Sequence, residues 1–208
     1  QVWDATTGAT VGSPVSGAWA AFSRDDTRVL ARDGGKIIVL DGVSGQQLLA
    51  IPWPHARRSH LLTSDGKRIV LTGWDSGIIQ THDAITGAQI GPTIHQENRC
   101  ISVALSPDGA RLASSCGKHV HVWDLDTGRP VMGPVSQNDT WRLQFSPDGR
   151  RLLTAGAEFD PVIRIWDLHN AEPALPPMSH QRWVFHAAFS PDGRRIVTAS
   201  EDETARVW

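Results

Sequence analysis

The stretch that decides the fold is His180–Trp208, HQRWVFHAAFSPDGRRIVTASEDETARVW. Trp183–Phe189 reads as a strand, Ser190–Gly193 as a tight turn and Arg195–Ser200 as a second strand. A polar turn at Glu201–Glu203 then leads to a third strand, Thr204–Trp208. In the first turn, proline presets φ, aspartate bonds back to the backbone and glycine accepts positive φ. The β-branched and aromatic residues on either side make this an antiparallel hairpin rather than a helical segment.

Working outward, the ending of this unit recurs as VWDATTG (Val2–Gly8), VLDGVSG (Val39–Gly45), THDAITG (Thr81–Gly87), VWDLDTG (Val122–Gly128) and IWDLHNA (Ile165–Ala171), with Val207–Trp208 a truncated last instance. Trp3, Leu40, His82, Trp123, Trp166 and Trp208 follow one another at steps of 37, 42, 41, 43 and 42. The turn recurs in step, as SRDD at Ser23–Asp26, SDG at Ser64–Gly66 and SPDG at Ser106, Ser146 and Ser190. Two independent landmarks at one period define a repeat architecture, in which each unit buries its faces against its neighbours.

The period, the short strands and the terminal Trp-Asp resemble WD40 repeats over the whole chain, with the third, fourth and fifth units closest. The resemblance implies an all-β fold, a β-propeller of about five four-stranded antiparallel blades. Repeated SPDGRR, a small-residue strand and then VWD or IWD also resemble bacterial WD40 arrays, which often follow a kinase or nucleotide-binding domain in longer polypeptides.

One continuous array is expected over residues 1–208: the tail of a preceding unit at 1–8, then units near 9–45, 46–87, 88–128, 129–171 and 172–208. Ala9–Val15 reads as an outer strand. Gln1–Trp3 and Arg206–Trp208 occupy equivalent third-strand positions. Were five units to close into a ring, Ala9–Val15 would complete the last blade and Gln1–Trp3 would duplicate Arg206–Trp208. That redundancy favours a segment of a longer array, with apolar blade faces exposed.

The 40% hydrophobic fraction suffices for a core, and a net charge of −2 offers neither the basic excess that nucleic acid attracts nor an acidic tail. No apolar run approaches the roughly 18 residues that span a bilayer. The two cysteines, Cys100 and Cys116, are too few for a disulfide framework. They lie on strands that should be neighbours in one hairpin, so a single bridge is open to them. Reduced, buried thiols are the expected state, which fits a cytoplasmic setting.

The resemblance implies a buried hydrogen-bond network built from a histidine, a strand hydroxyl, a turn aspartate and the tryptophan. In the fifth unit the matching residues are His180, Thr198 (with Ser200 as the alternative), Asp202 and Trp208. The set resembles a hydrolase triad, but no nucleophile elbow or oxyanion loop accompanies it, so a structural role is expected. The third unit offers His95, Ser114 and Trp123. The fourth offers Thr154, Trp166 and Asp160, with Ser136 in place of histidine. The second offers His55, Thr72 and Asp75, with His82 for tryptophan, and the first keeps Asp33. His119 and His121 alternate along one strand face, but no third metal ligand is near in sequence, and exposed polar positions are expected. The glycines belong to turns, so no phosphate loop, cofactor or catalytic residue is expected.

Tryptophan is abundant, and Trp19, Trp53, Trp74, Trp141 and Trp183 are not accounted for as strand ends. The resemblance places partner contacts near inner-strand starts and before the turn aspartate, which selects Trp74, Arg58, Arg99 and Trp183. Tryptophan and arginine also dominate interface energetics, although packing between blades is the alternative. A non-catalytic interaction scaffold for a peptide or protein domain is therefore expected. The alternatives are a sensor propeller fused to a signalling domain and, less favoured, a propeller enzyme or small-ligand binder.

Overall fold

The computed structural model describes residues 2–15, 19–23, 26–54, 60–96, 99–137, 140–157 and 159–208, without the side chains of Trp19 and His60. Its described regular structure is entirely strand. β1 (Val2–Trp3) and β2 (Thr10–Val11) form a two-stranded ribbon. Blade I holds β3 (Trp19–Phe22), β4 (Arg28–Asp33), β5 (Lys36–Asp41) and β6 (Gln47–Pro52). Blade II holds β7 (His60–Leu62), β8 (Arg68–Thr72), β9 (Ile78–Asp83) and β10 (Gln89–His95). Blade III holds β11 (Cys100–Leu105), β12 (Arg111–Cys116), β13 (His119–Asp124) and β14 (Pro130–Ser136). Blade IV holds β15 (Thr140–Phe145), β16 (Arg151–Gly156), β17 (Val162–Asp167) and β18 (Met178–Ser179). Blade V holds β19 (Val184–Phe189), β20 (Ile196–Ser200) and β21 (Ala205–Val207). Each blade runs antiparallel in chain order, as WD40-like propeller blades do, and the blades do not close into a ring.

Blade and sequence unit are offset by one strand. Gln89–His95, which opens the unit at 88–128, is the outer strand of blade II. The stretch at Ala9–Val15 is strand only at β2, and it pairs with β1 (Val2↔Val11, Trp3↔Thr10) rather than with β21. This is the third-to-outer strand pairing seen in blades I to IV.

The core lies between sheets. Leu30, Ile37 and Val39 of blade I pack with Trp53, Ile69 and Leu71 toward blade II. Val70, Ile79 and Ile94 meet Leu112 and Leu125 of blade III. Ala113, Val120 and Val122 of blade III meet Leu143, Phe145 and Leu152 of blade IV. Leu153, Ile163 and Ile165 of blade IV meet Val184, Ala187 and Ile196 of blade V. Because successive strand residues point to opposite faces, β12 sends Leu112 to one neighbouring blade and Ala113 to the other. Val197 and Val207 of blade V stay exposed.

Both sequence landmarks are turns closed by side chains. Ser106 Oγ donates to Asp108 and accepts from Arg111 N at 2.9 Å, while Asp108 Oδ1 accepts from Ala110 N at 3.0 Å. The same bonds recur around Ser146 and Ser190. In blade II the hydroxyl that closes the turn is Thr63, bonded to Asp65 at 2.6 Å, whereas Ser64 reaches across to Pro107 O at 3.1 Å. At the Asp-x-x-Thr-Gly ending, Asp124 Oδ1 accepts from Thr127 N at 2.8 Å and Thr127 Oγ1 at 2.7 Å. These bonds, the side-chain one first, hold the Asp124 carboxyl below its ordinary pKa.

Gly109 and Gly149 stand at equivalent turns with φ of +70° and +67°. A Cβ at Gly109 would lie 2.9 Å from Thr63 Cγ2, whose rotamer is held by Asp65. A Cβ at Gly149 would meet only Pro107 Cδ, at 3.7 Å. Gly149→Ala should therefore cost about 1 kcal/mol for its left-handed φ alone. Gly109→Ala should cost about 2–3 kcal/mol in urea denaturation, the excess arising from overpacking against Thr63.

Candidate functional site

The antiparallel register of blades III to V brings the start of the inner strand beside the turn after the second strand, at the edge where the chain enters the blade. Cys100 faces Cys116, Thr140 faces Gly156 and Val184 faces Ser200 there. In blade V a hydrogen-bond chain joins these segments. Trp208 Nε1 donates to Thr198 Oγ1 at 3.0 Å. Thr198 Oγ1 lies 2.7 Å from His180 Nε2, and His180 Nδ1 lies 2.8 Å from Asp202 Oδ2. A carboxylate only accepts, so His180 carries its proton on Nδ1 and accepts the threonine proton on Nε2. Ser200 is not the hub, since its hydroxyl donates to Arg182 O at 2.9 Å.

Asp202 also accepts from Thr204 Oγ1 at 2.6 Å, Thr204 N at 3.0 Å and Gln181 N at 3.1 Å. Burial opposes its charge. Hydrogen bonds from the Thr204 side chain, the Gln181 backbone and His180 together outweigh that penalty, and the carboxyl sits far below its ordinary value.

The tryptophan-to-hydroxyl bond recurs at 3.0 Å from Trp123 to Ser114 and from Trp166 to Thr154. Its third member changes. The place of His180 is marked by its backbone, because His180 N donates to Pro161 O just before β17. The equivalent donors are Gln137 N to Lys118 O, Gln96 N to Gly77 O and Trp53 N to Gly35 O. The third member is thus Gln96 rather than His95, and Gln137 rather than Ser136. Gln96 Nε2 donates to Ser114 Oγ at 2.7 Å, and Thr154 Oγ1 donates to Gln137 Oε1. A primary amide offers donor and acceptor together, so neither glutamine needs a carboxylate to orient it. Gln137 Nε2 satisfies Val162 O at 2.9 Å, and Asp160 instead pairs with Arg164 at 2.9 Å. In blade II the place belongs to buried Trp53, while His55 lies outside the described residues. His82, standing where tryptophan was expected, bonds Gly87 O at 3.0 Å and Gln80 Oε1 at 3.4 Å.

Of the residues selected for partner contact, Arg58 lies outside the described residues. Trp74 and Arg99 meet where blades II and III adjoin. The carbonyl of half-buried Trp74 accepts from Cys100 N at 3.4 Å, and Arg99 Nε lies 3.5 Å from Asp75 Oδ1 in an exposed pair. Trp183 stands where blades IV and V adjoin. Its ring is edge-on to Trp141 at 5.4 Å and tilted against Phe185 at 5.3 Å. Trp183 Nε1 is buried with no acceptor, so packing alone orients the ring. Trp141 is 38% exposed and Phe185 50%. Sequence reading left Trp141 unassigned and passed over Phe185. Both occupy the irregular second position of an inner strand, where the register shifts between Thr140 and Arg142 and between Val184 and His186. Such a bulge re-aims a side chain out of the ladder.

His119 and His121 are half-buried rather than exposed. With His95, Gln96, Cys116, Trp123 and Pro134 they line a cleft of about 340 Å³, where His121 stacks on Trp123 at 5.2 Å. Among the described residues, no three His, Cys, Asp or Glu side chains are grouped to hold a metal ion.

Successive antiparallel blades, buried against one another and, in blades III to V, each braced internally by a tryptophan-to-hydroxyl bond, define a propeller-type repeat array. Residues 89–124, 133–167 and 177–208 match the family described as WD domain, G-beta repeat, and the chain belongs to the WD repeat family. It is similar to WD repeat and SOCS box-containing protein 1 of Mus musculus, 24% identical over 192 residues, 81% of this chain and 43% of that protein. The protein of the same name from Danio rerio is 28% identical over 119 residues, 53% of this chain and 28% of that protein. Protein transport protein SEC31 of Saccharomyces cerevisiae is 26% identical over 144 residues, 62% of this chain and 11% of that protein. The chain spans less than half the length of each of these relatives.

Thr198→Val should leave the Trp208 and His180 nitrogens unsatisfied and destabilise the chain by on the order of 2–3 kcal/mol in urea denaturation. The depressed Asp202 value has a definite sign. Its stabilisation is present above the unfolded carboxylate value of 3.8 and is lost as pH falls toward the folded one. Melting temperatures of wild type and Asp202→Asn should therefore differ most near neutrality and converge as pH falls below about 4.

Proposed function

We propose that this array is a non-catalytic platform that binds a protein partner, a peptide or a domain, at the blade edge where the inner strands begin. The observation that carries the reading is the cluster Trp141–Trp183–Phe185. Two of its rings stay substantially exposed on adjacent inner strands, although the interblade core is complete without them. Rigid, half-desolvated aromatic rings are the groups that contribute most when a partner covers them. Trp74, flanked by the Arg99–Asp75 pair, is a second anchor on the same edge.

His180, Thr198, Asp202 and Trp208 act structurally in this reading. Thr198 is fully buried, and its oxygen is shared between the Trp208 donor and the His180 acceptor. A nucleophile must reach a substrate atom, and this hydroxyl has no open approach. The network pins the entry loop of blade V to its following turn, which keeps the neighbouring aromatic rings in place.

The double variant Trp141→Ala, Phe185→Ala tests the reading. Its melting temperature should stay within about 3 °C of wild type, since both rings are exposed and outside the interblade core. Proteins captured by the immobilised wild-type chain, quantified by mass spectrometry, should fall at least about tenfold with the variant. An unchanged capture profile from a folded variant would sink the proposal.

A further inference from the structure

We propose that Cys100 and Cys116 form a redox modification site: a dithiol that a hydroperoxide converts to one cross-strand disulfide and that thiols reduce again. The two residues are register partners on β11 and β12, beside the register shift between Cys100 and Ser102, and both are buried thiols. Opposed residues of an antiparallel pair have Cα atoms about 4.5–5.5 Å apart, within the span a disulfide bridges. Their side chains converge on one atom. Cys100 Sγ lies 3.1 Å from Gln96 Oε1, and Cys116 Sγ is hydrogen-bonded to the same oxygen. Cys116 and Gln96 also line the cleft beside His119 and His121, which gives a small oxidant a route to the Cys116 side of the pair.

The pair is set up for stepwise oxidation. When Cys100 ionises, the single Cys116 S–H turns from Gln96 Oε1 to the Cys100 sulfur, and that bond holds the Cys100 thiol below its ordinary value against the opposing effect of burial. The Cys116 thiol is pushed up, first by that same hydrogen bond and then by burial. The thiolate of one cysteine attacks one oxygen of hydrogen peroxide; an S–O bond forms, the O–O bond breaks, and the departing hydroxide leaves as water with the displaced proton. The sulfur of the other cysteine then attacks the oxidised sulfur. An S–S bond forms, the S–O bond breaks, and the hydroxide leaves as water with the proton of the attacking thiol. Two electrons pass from the thiols to the peroxide, giving one disulfide and two waters. The product strips Gln96 Oε1 of both S–H donors, and so weakens the blade III counterpart of the His180 network.

The test exposes the native chain to hydrogen peroxide, then reads intact mass, alkylatable thiols and a peptide map. The intact mass should fall by about 2 Da, both thiols should become unreactive, one cross-linked peptide pair should join Cys100 to Cys116, and dithiothreitol should reverse all three. In Cys116→Ser the reaction should stop at a sulfenic acid on Cys100, about 16 Da heavier. Should that variant not fold, the wild-type readouts decide alone. Thiols that stay unreacted, a gain of about 32 Da or more without the cross-link, or a bridge only between chains would each overturn the proposal.

Discussion

Blades II to IV are buried against a neighbour on both faces, and the rest of the structure follows from that constraint. β12 is buried from Leu112 to Cys116, with alternate residues entering the clusters shared with blades II and IV. A sheet made of such strands cannot stand alone, so the hydrophobic core is divided into slabs between blades rather than gathered in one centre. The serine-aspartate turns extend the contact beyond the apolar slabs. Ser64 reaches Pro107 O in the next blade, and Arg151 reaches Gly193 O.

Stacking secures the flat of each blade but leaves its edge to be organised by polar bonds. There a strand hydroxyl serves as hub, taking the tryptophan N–H at 3.0 Å in blades III, IV and V. The hub tolerates different partners because it requires only one complementary donor or acceptor. Histidine meets the requirement in one tautomer, fixed by Asp202, whereas Gln96 and Gln137 meet it as neutral amides. The charge near the hub is therefore dispensable from blade to blade, while the tryptophan-to-hydroxyl geometry is kept.

A scaffold stiffened this way can carry groups that contribute nothing to its own core. Trp141 and Phe185 sit at ladder irregularities that turn them outward, and Arg99 extends from the loop entering blade III. The cysteine pair sits just behind that loop, on the hub glutamine itself. Surface recognition and thiol chemistry thus occupy the blade edge, where the polar network rather than the apolar slabs sets the geometry.

Much of this was legible in the amino-acid sequence. The spacing of the two turn landmarks, the strand alternation and the terminal tryptophans establish antiparallel blades without coordinates, because turns and periodicity are local properties. The blade V network was readable for the same reason, since each member stands at a fixed offset from a turn. Residue identity misled where position mattered more. His95 and Ser136 were favoured by chemistry or by offset, yet the backbone bonds to Gly77 O and Lys118 O place Gln96 and Gln137 at the hub. The entry loop of blade IV has one residue fewer before its inner strand, so counting alone could not settle both. Tertiary structure alone decided which sheet each outer strand joins, that Trp141, Trp183 and Phe185 form one cluster, and that both thiols meet one amide oxygen. Those outcomes depend on pairing and packing between separate segments, such as Cys100 with Cys116 and Trp141 with Trp183, which no local pattern encodes.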